Sequence, residues 1–336
     1  MRRTDRPTDP ARGGVTLLEL LIVITVLMML VGVALPAMRP ALEGRQVREA
    51  ARSLNIYLSS ARSVAMVTGR PCGVMIQRLE AEPLCSMELA QAQVPPPYAG
   101  DTVDARAVVT RGGINGGIAT VTAQLSSYNA TLVNRGDLIQ FNHQGPMYTV
   151  TGGGGSLTLQ IDVSQGLQLP WPTSGTPSDP MPYKIFRSPM KSYATPMQLP
   201  GNAAIDLQFS GTDTLPNFPQ QNPQDLSPIY IMFAPNGSVD RVYCWNQQQG
   251  AYGPVEVTEP IYLLVGRRDR VPAPAPAEGL LPNYQDTRNF WISLNPQTGL
   301  VTTVEVAAWP NNSSGIPANP QESRSLAREA QSIGGR

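Results

Sequence analysis

Residues 13–36 read GGVTLLELLIVITVLMMLVGVALP, and this stretch decides how the rest of the chain is read. The apolar run at 15–35 is 21 residues long, 14 of them Leu, Ile or Val, and Glu19 is the one charge inside it. As a helix rising ~1.5 Å per residue it would cover about 31 Å, close to the ~30 Å hydrocarbon core of a bilayer. The branched side chains favour insertion by roughly 4–8 kcal/mol together, whereas one carboxylate costs about 2.5–3.5 kcal/mol. A transmembrane helix is therefore expected at 15–36, with Pro36 as a helix break at its end. A secretory signal peptide has a shorter apolar region and no internal acid. A plain anchor explains the length but has no use for Glu19. Arg2, Arg3, Arg6 and Arg12 precede the run, and Arg39, Arg45, Arg48 and Arg52 follow it, so charge alone sets no orientation.

Downstream, Val47, Ala51, Leu54, Leu58, Ala61 and Ala65 recur at spacings of three and four, which marks one apolar helix face. Arg45, Arg48, Arg52, Asn55, Ser59 and Arg62 lie largely off that stripe, and Gly69 supplies a C-cap. An amphipathic helix is expected at 37–69. The arginines read as its solvated face rather than as a nucleic-acid surface.

Beyond Gly69 the text changes to short alternating runs broken by Gly, Pro, Asn and Asp. The 33 prolines among 336 residues are about twice the usual ~5% share and exclude a mostly helical chain. Candidate strands include CGVMIQRL (72–79), IATVTAQL (118–125), SLTLQIDV (156–163), AAIDLQFS (203–210), IYIMFA (229–234), SVDRVYCW (238–245) and GLVTTVEV (299–306). APNGS (234–238) and NPQTG (295–299) have hairpin-turn chemistry. VPPPYAG (94–100) and LPWPTSGTPSDPMP (169–182) read as linkers, and the text at 311–336 reads as a polar tail with a short helix near 323–331.

Little in the sequence points to catalysis. Lys+Arg and Asp+Glu balance at 25 each, so nothing marks a partner of polyanions. His143 is the single histidine, which leaves little material for a histidine metal cluster or triad. RGGINGG (111–117) and GGGG (152–155) lack a following GK[ST] and read as turn glycines. SPMK (188–191) matches S-x-x-K without its companion motifs. Asp206, Asp213, Asp240, Glu256 and Glu259 are scattered. No catalytic, cofactor-binding or metal-ligating residue is assigned, and no cofactor is expected.

Gly13-Gly14 followed by VTLLELLIVI, with Glu in the fifth place after the second Gly, resembles a type IV prepilin leader and cleavage site. Val15 stands where that family usually has Phe. The resemblance implies a leader at 1–14, removed by a prepilin peptidase between Gly14 and Val15, with methylation of the new amine. It makes Glu19 the family's acidic residue, available for charge pairing during assembly. SARSVAMVTGRPCGVMI (60–76), LPGNAAIDLQFSG (199–211), PIYIMFAPNGSV (228–239) and FWISLNPQTGLV (290–301), in that order, are similar to minor pseudopilins of the GspH/FimT type.

The implied fold is α+β: a long N-terminal helix, transmembrane then amphipathic, packed on a pilin-like, mostly antiparallel β-rich domain at 70–310. Residues 81–198 read as a β-rich insertion in it. The implied function is that of a minor pseudopilin, a structural and non-enzymatic subunit of a type II secretion or type IV pilus-like filament. Its partners would be other pseudopilins or pilins, the prepilin peptidase, the inner-membrane assembly platform with its ATPase, and membrane lipid; no nucleic acid is expected. Its placement would be single-pass in the inner membrane, with a cytoplasmic N-terminus and a periplasmic C-terminal domain. A FimT-like minor pilin of pilus biogenesis or DNA uptake is the alternative, followed by a membrane-anchored envelope enzyme. Export would permit a Cys72–Cys85 disulfide closing a short loop, with Cys244 left as a buried thiol.

Overall fold

Strand outweighs helix, 37% against 21%, so the β layers set the fold class. The structure, a computed structural model, describes residues 16–164, 166–172, 175–215, 217–247, 250–273, 280–308 and 317–332. The chain divides into two compact units, Met1–Gly44 and Arg45–Arg336. The class is mostly β, which corrects the α+β, pilin-like expectation. The span-capable helix on which that expectation rested is missing among the described residues. One α-helix, α1, is assigned over Leu17–Thr68, and Pro36, expected as a helix break, lies inside it.

Three antiparallel sheets make up the second unit. The first has seven strands, ordered Met190–Lys191, Glu88–Gln93, Cys72–Gln77, Ile229–Phe233, Val239–Asn246 and Ala251–Val255, with Met197–Gln198 also paired to Glu88–Gln93. The second has five, ordered Val301–Glu305, Phe290–Leu294, Ile261–Arg267, Ala203–Gly211 and Cys85–Ser86. Alternation sorts their side chains. Ile229, Ile231 and Phe233 enter the main core, while Tyr230 and Met232 join a separate cluster with Met75 and Ala90.

The main core also takes Val47, Ala50, Ala51, Leu54, Leu58, Ala61 and Ala65 of α1, together with Ile205, Leu263, Val265, Ile292 and Leu294 of the second sheet. The four alanines let the helix axis come close to the strands, and Leu54 and Leu58 contribute about 1.5–3 kcal/mol each by burial. At the helix end, Arg62 Nε donates to Gly237 O at 3.0 Å. Gly299, at φ +65°, faces the same carbonyl, and a Cβ there would lie 1.8 Å from it. The two predicted turns thus pack on each other and on Arg62.

The third sheet runs in the order Ala107–Asn115, Ile118–Leu125, Leu157–Asp162, Met147–Gly152, Leu138–Phe141 and Tyr183–Phe186. Its two edges meet. Gly175, Ser178 and Met181 donate their N–H groups to Arg111 O, Val109 O and Ala107 O at 3.0, 2.9 and 2.9 Å. Joining the edges over 107–111 and 175–181 closes the sheet into a small barrel. Its interior holds Val109, Val121, Ile139, Leu157, Leu159 and Ile185, and Phe141, Tyr148 and Trp171 pack ring on ring at 5.0–6.1 Å.

Residues 175–181 of the text read as a linker are therefore part of the barrel wall. In the other linker, Tyr98 exchanges two backbone hydrogen bonds with Ile185. The part with its own core is also shorter than the expected insertion at 81–198. Strands Cys85–Ser86, Glu88–Gln93, Met190–Lys191 and Met197–Gln198 belong to the first two sheets.

A second helix, α2, spans Pro320–Ser332 and takes in the short helix expected near 323–331. Asn319 caps it, accepting from Glu322 N–H at 2.9 Å, while Glu322 Oε2 accepts from Ala318 N–H at 2.7 Å.

The expected Cys72–Cys85 disulfide is absent, and all three cysteines are free. Leu79 N–H bonds Cys85 O at 2.8 Å, which places Cys85 beside the far end of the extended run that begins at Cys72. Seven extended residues separate the two ends by about 23 Å, far beyond the ~7 Å that a bridge tolerates between Cα atoms. Burial pushes the Cys85 and Cys244 thiols up to about 12, whereas Cys72 is half-buried at the start of its strand. Iodoacetamide is thus expected to label Cys72 first in the native chain and all three cysteines after unfolding. Recovery of a Cys72–Cys85 peptide pair on non-reducing mapping would contradict this.

Candidate functional site: the exposed apolar helix

Gly14 and Val15, the expected processing site, lie outside the described residues, which begin at Thr16. Thr16 precedes α1 and caps it. Its Oγ1 accepts from Glu19 N–H at 3.2 Å, and its carbonyl accepts from Leu20 N–H at 3.1 Å. Thr16-Leu-Leu-Glu19 has the T-x-x-E spacing of a capping box, in which the acid sits in the positive first turn of the helix. Reading Glu19 only as an intruder in an apolar run misses this role, although the spacing is visible in the sequence.

Every described side chain from residue 16 to residue 32 is exposed. Leu17, Leu18, Leu20, Leu21, Ile22, Val23, Ile24, Val26, Leu27, Met28, Met29, Leu30 and Val31 retain 44–84% of their free surface. At 100° per residue these positions cover all sides of the helix, so no polar face remains to be solvated. Thr25 turns its hydroxyl inward, donating to Leu21 O at 2.7 Å. Exposed apolar surface on this scale marks a region of association.

Among the described residues no helix is long and apolar enough to cross a membrane. The expected single-pass placement in the inner membrane, with its cytoplasmic and periplasmic sides, is corrected on this ground.

His143 sits in the turn after Leu138–Phe141 at φ +55°. Asp206 is fully buried, and burial pushes its carboxyl up to about 7 against hydrogen bonds from Asn283 Nδ2 and Gln208 N–H, each 3.0 Å. It ties the second sheet to the loop that carries Asn283. Asp213 lies apart from it in an ion pair with Arg328, and Glu259 accepts from Thr214 N–H at 2.9 Å. Among the described residues no group of three or more His, Cys, Asp or Glu side chains is placed to hold a metal ion. Gly116 and Gly117, at φ +57° and +82°, form the tight turn between Ala107–Asn115 and Ile118–Leu125.

Comparison of the chain with protein-family models, with curated proteins and with solved structures gives no match.

Proposed function

We propose that this chain is a structural, non-enzymatic filament subunit of the minor-pseudopilin kind, cut after Gly14 and assembled with like subunits through the N-terminal part of α1. One observation carries the reading: a capped helix that is apolar on every side and exposed along Leu17, Leu21, Ile24 and Met28. Such a helix is stable only when other apolar helices cover it.

Glu19 gives the assembly its selectivity. Cleavage after Gly14 would place an α-amine on Val15, four residues and about one helical turn before Glu19. Between packed apolar helices, the amine of one subunit and the Glu19 carboxylate of the next attract each other more strongly than in water. At 4 Å the attraction is about 4 kcal/mol for an effective dielectric of ~20, against ~1 kcal/mol in water. The partners on this reading are other subunits with the same kind of helix, a prepilin peptidase, and an assembly platform driven by an ATPase.

The test is mass analysis of the N-terminal peptide from cells that contain an active prepilin peptidase. The expected peptide starts at Val15 and carries one added methyl group on its amine. A chain that starts at Met1, or a cut at Leu35, would overturn the reading.

A further inference from the structure

A cavity of about 470 Å³ lies between the barrel and the first sheet, within the usual size range of small-ligand sites. Arg135, Arg187 and Ser188 line it from the barrel side, and Tyr230, Tyr252 and Pro228 from the sheet side. No acid is among its described lining residues. Two loops are locked beside it by one carboxylate. Asp137, fully buried, accepts from Asn134 N–H at 2.8 Å and from Ser188 N–H at 2.6 Å. Tyr252 Oη is fixed by donation to Pro228 O at 2.9 Å.

Two arginines at this cavity are in place and underused. Arg187 donates through Nε to Pro96 O at 3.2 Å, and its two Nη groups have no hydrogen-bond partner among the described residues. Ser188 Oγ has no exposed surface and supports the Asp137 carboxylate from within. Arg135 lies with its guanidinium 4.9 Å from the Trp245 ring centroid and reaches Gln221 Oε1 at 3.4 Å. A guanidinium fork is shaped for a planar oxyanion. Arg135 and Arg187 line the pocket and no acid does, so its described lining carries positive charge. Its proline and tyrosine walls offer apolar contact next to that charge.

We propose that this cavity binds a carboxylate carried on a short apolar body, such as an aromatic peptide with an acidic residue. Arg187 holds the carboxylate, Arg135 supplies a second cation, and Tyr230 and Pro228 take the apolar part. The site is independent of the filament reading and uses none of α1.

The test titrates three probes into the full chain in mild detergent by calorimetry: N-acetyl-Phe-Asp-amide, its Asn analogue, and inorganic phosphate. The acidic peptide is expected to bind at least about tenfold more tightly than the Asn analogue or phosphate, the discrimination of one charge-assisted contact. Arg187→Gln should weaken it by about tenfold or more, with Arg187→Lys between the two. Should Arg187→Gln fail to fold, Arg135→Gln, at an exposed side chain, is expected to weaken the same peptide severalfold. Phosphate that binds as tightly as the peptide and competes with it would assign the site to free oxyanions and overturn the peptide body. Equal binding of the Asp and Asn peptides, no binding of any probe at millimolar concentration, or no effect of either arginine variant would overturn the proposal.

Discussion

Arg324→Ala is expected to destabilise the Arg45–Arg336 unit by about 3–5 kcal/mol, through two orphaned carbonyls and a cavity. Arg324 is 1% exposed and donates from Nη1 to Thr212 O and from Nη2 to Phe209 O, both at 2.6 Å. Its guanidinium carbon stands 5.6 Å from the ring centroids of both Tyr262 and Trp291, which adds a cation–π contribution. Burial lowers the Arg324 guanidinium to about 10, so it remains charged, and the contacts hold, throughout the neutral range. Around it, Trp291 Nε1 donates to Ser323 Oγ at 2.8 Å, and Ser323 Oγ donates to Tyr284 O at 3.1 Å.

Alanine removes the donors and leaves two buried acceptors facing a hole. Arg324→Met should recover some of the packing but not the hydrogen bonds, and so lie between Ala and wild type. The readout is the midpoint of urea unfolding, with amide exchange in α2 rising before exchange in Phe290–Leu294. A loss below about 1 kcal/mol would show that α2 is not anchored through Arg324.

Much of the layering around α1 is legible in the sequence because it rests on periodicity. Val47, Ala51, Leu54, Leu58, Ala61 and Ala65 are all buried, and Arg45, Arg48 and Arg52 are all exposed, since a 3.6-residue repeat places them so. Alternation marks Ile229–Phe233 in the same way. The barrel closure is not legible. It runs through Gly175, Ser178 and Met181, whose N–H groups alternate with Pro177, Pro180 and Pro182. Prolines on the side that needs no donor are compatible with an edge, yet they read as a linker when only composition is weighed.

The C-terminal helix is expected from the sequence, but its docking is hidden for a related reason. Its buried face is Ser323, Arg324 and Ala327, and no apolar stripe announces it. The separation of Cys72 from Cys85 depends on how far the hairpin extends before it turns, which sequence spacing alone does not reveal. The fold class failed because the helix, conspicuous as text, is outweighed by strands and lacks a described span-length apolar run. At the candidate site, the apolar run and its lone acid are plain in the sequence, and the cap that Thr16 forms with the Glu19 amide is the part that was overlooked.

That cap gives Glu19 two roles to be separated. As the acid in the positive first turn of α1 it contributes about 1 kcal/mol or less at an exposed end, while the cap bond itself uses a backbone N–H that any residue there keeps. As a charge among packed apolar helices it attracts a neighbour's amine by several times that amount. Glu19→Leu removes both roles. Glu19→Gln removes the charge and keeps a side chain that serves in the capping box. If charge pairing governs assembly, both variants should lose incorporation about equally, by tenfold or more for a contribution above ~1.4 kcal/mol. Cleavage after Gly14 should be largely retained in both.

The decisive measurement is quantitative crosslinking of wild type, Glu19→Leu and Glu19→Gln to the partner subunits in cells that express all of them at equal levels. The account predicts strong crosslinks for wild type and similarly weak ones for Leu and Gln. Crosslinking of Glu19→Gln at the wild-type level would contradict charge-paired assembly and leave Glu19 as a helix cap.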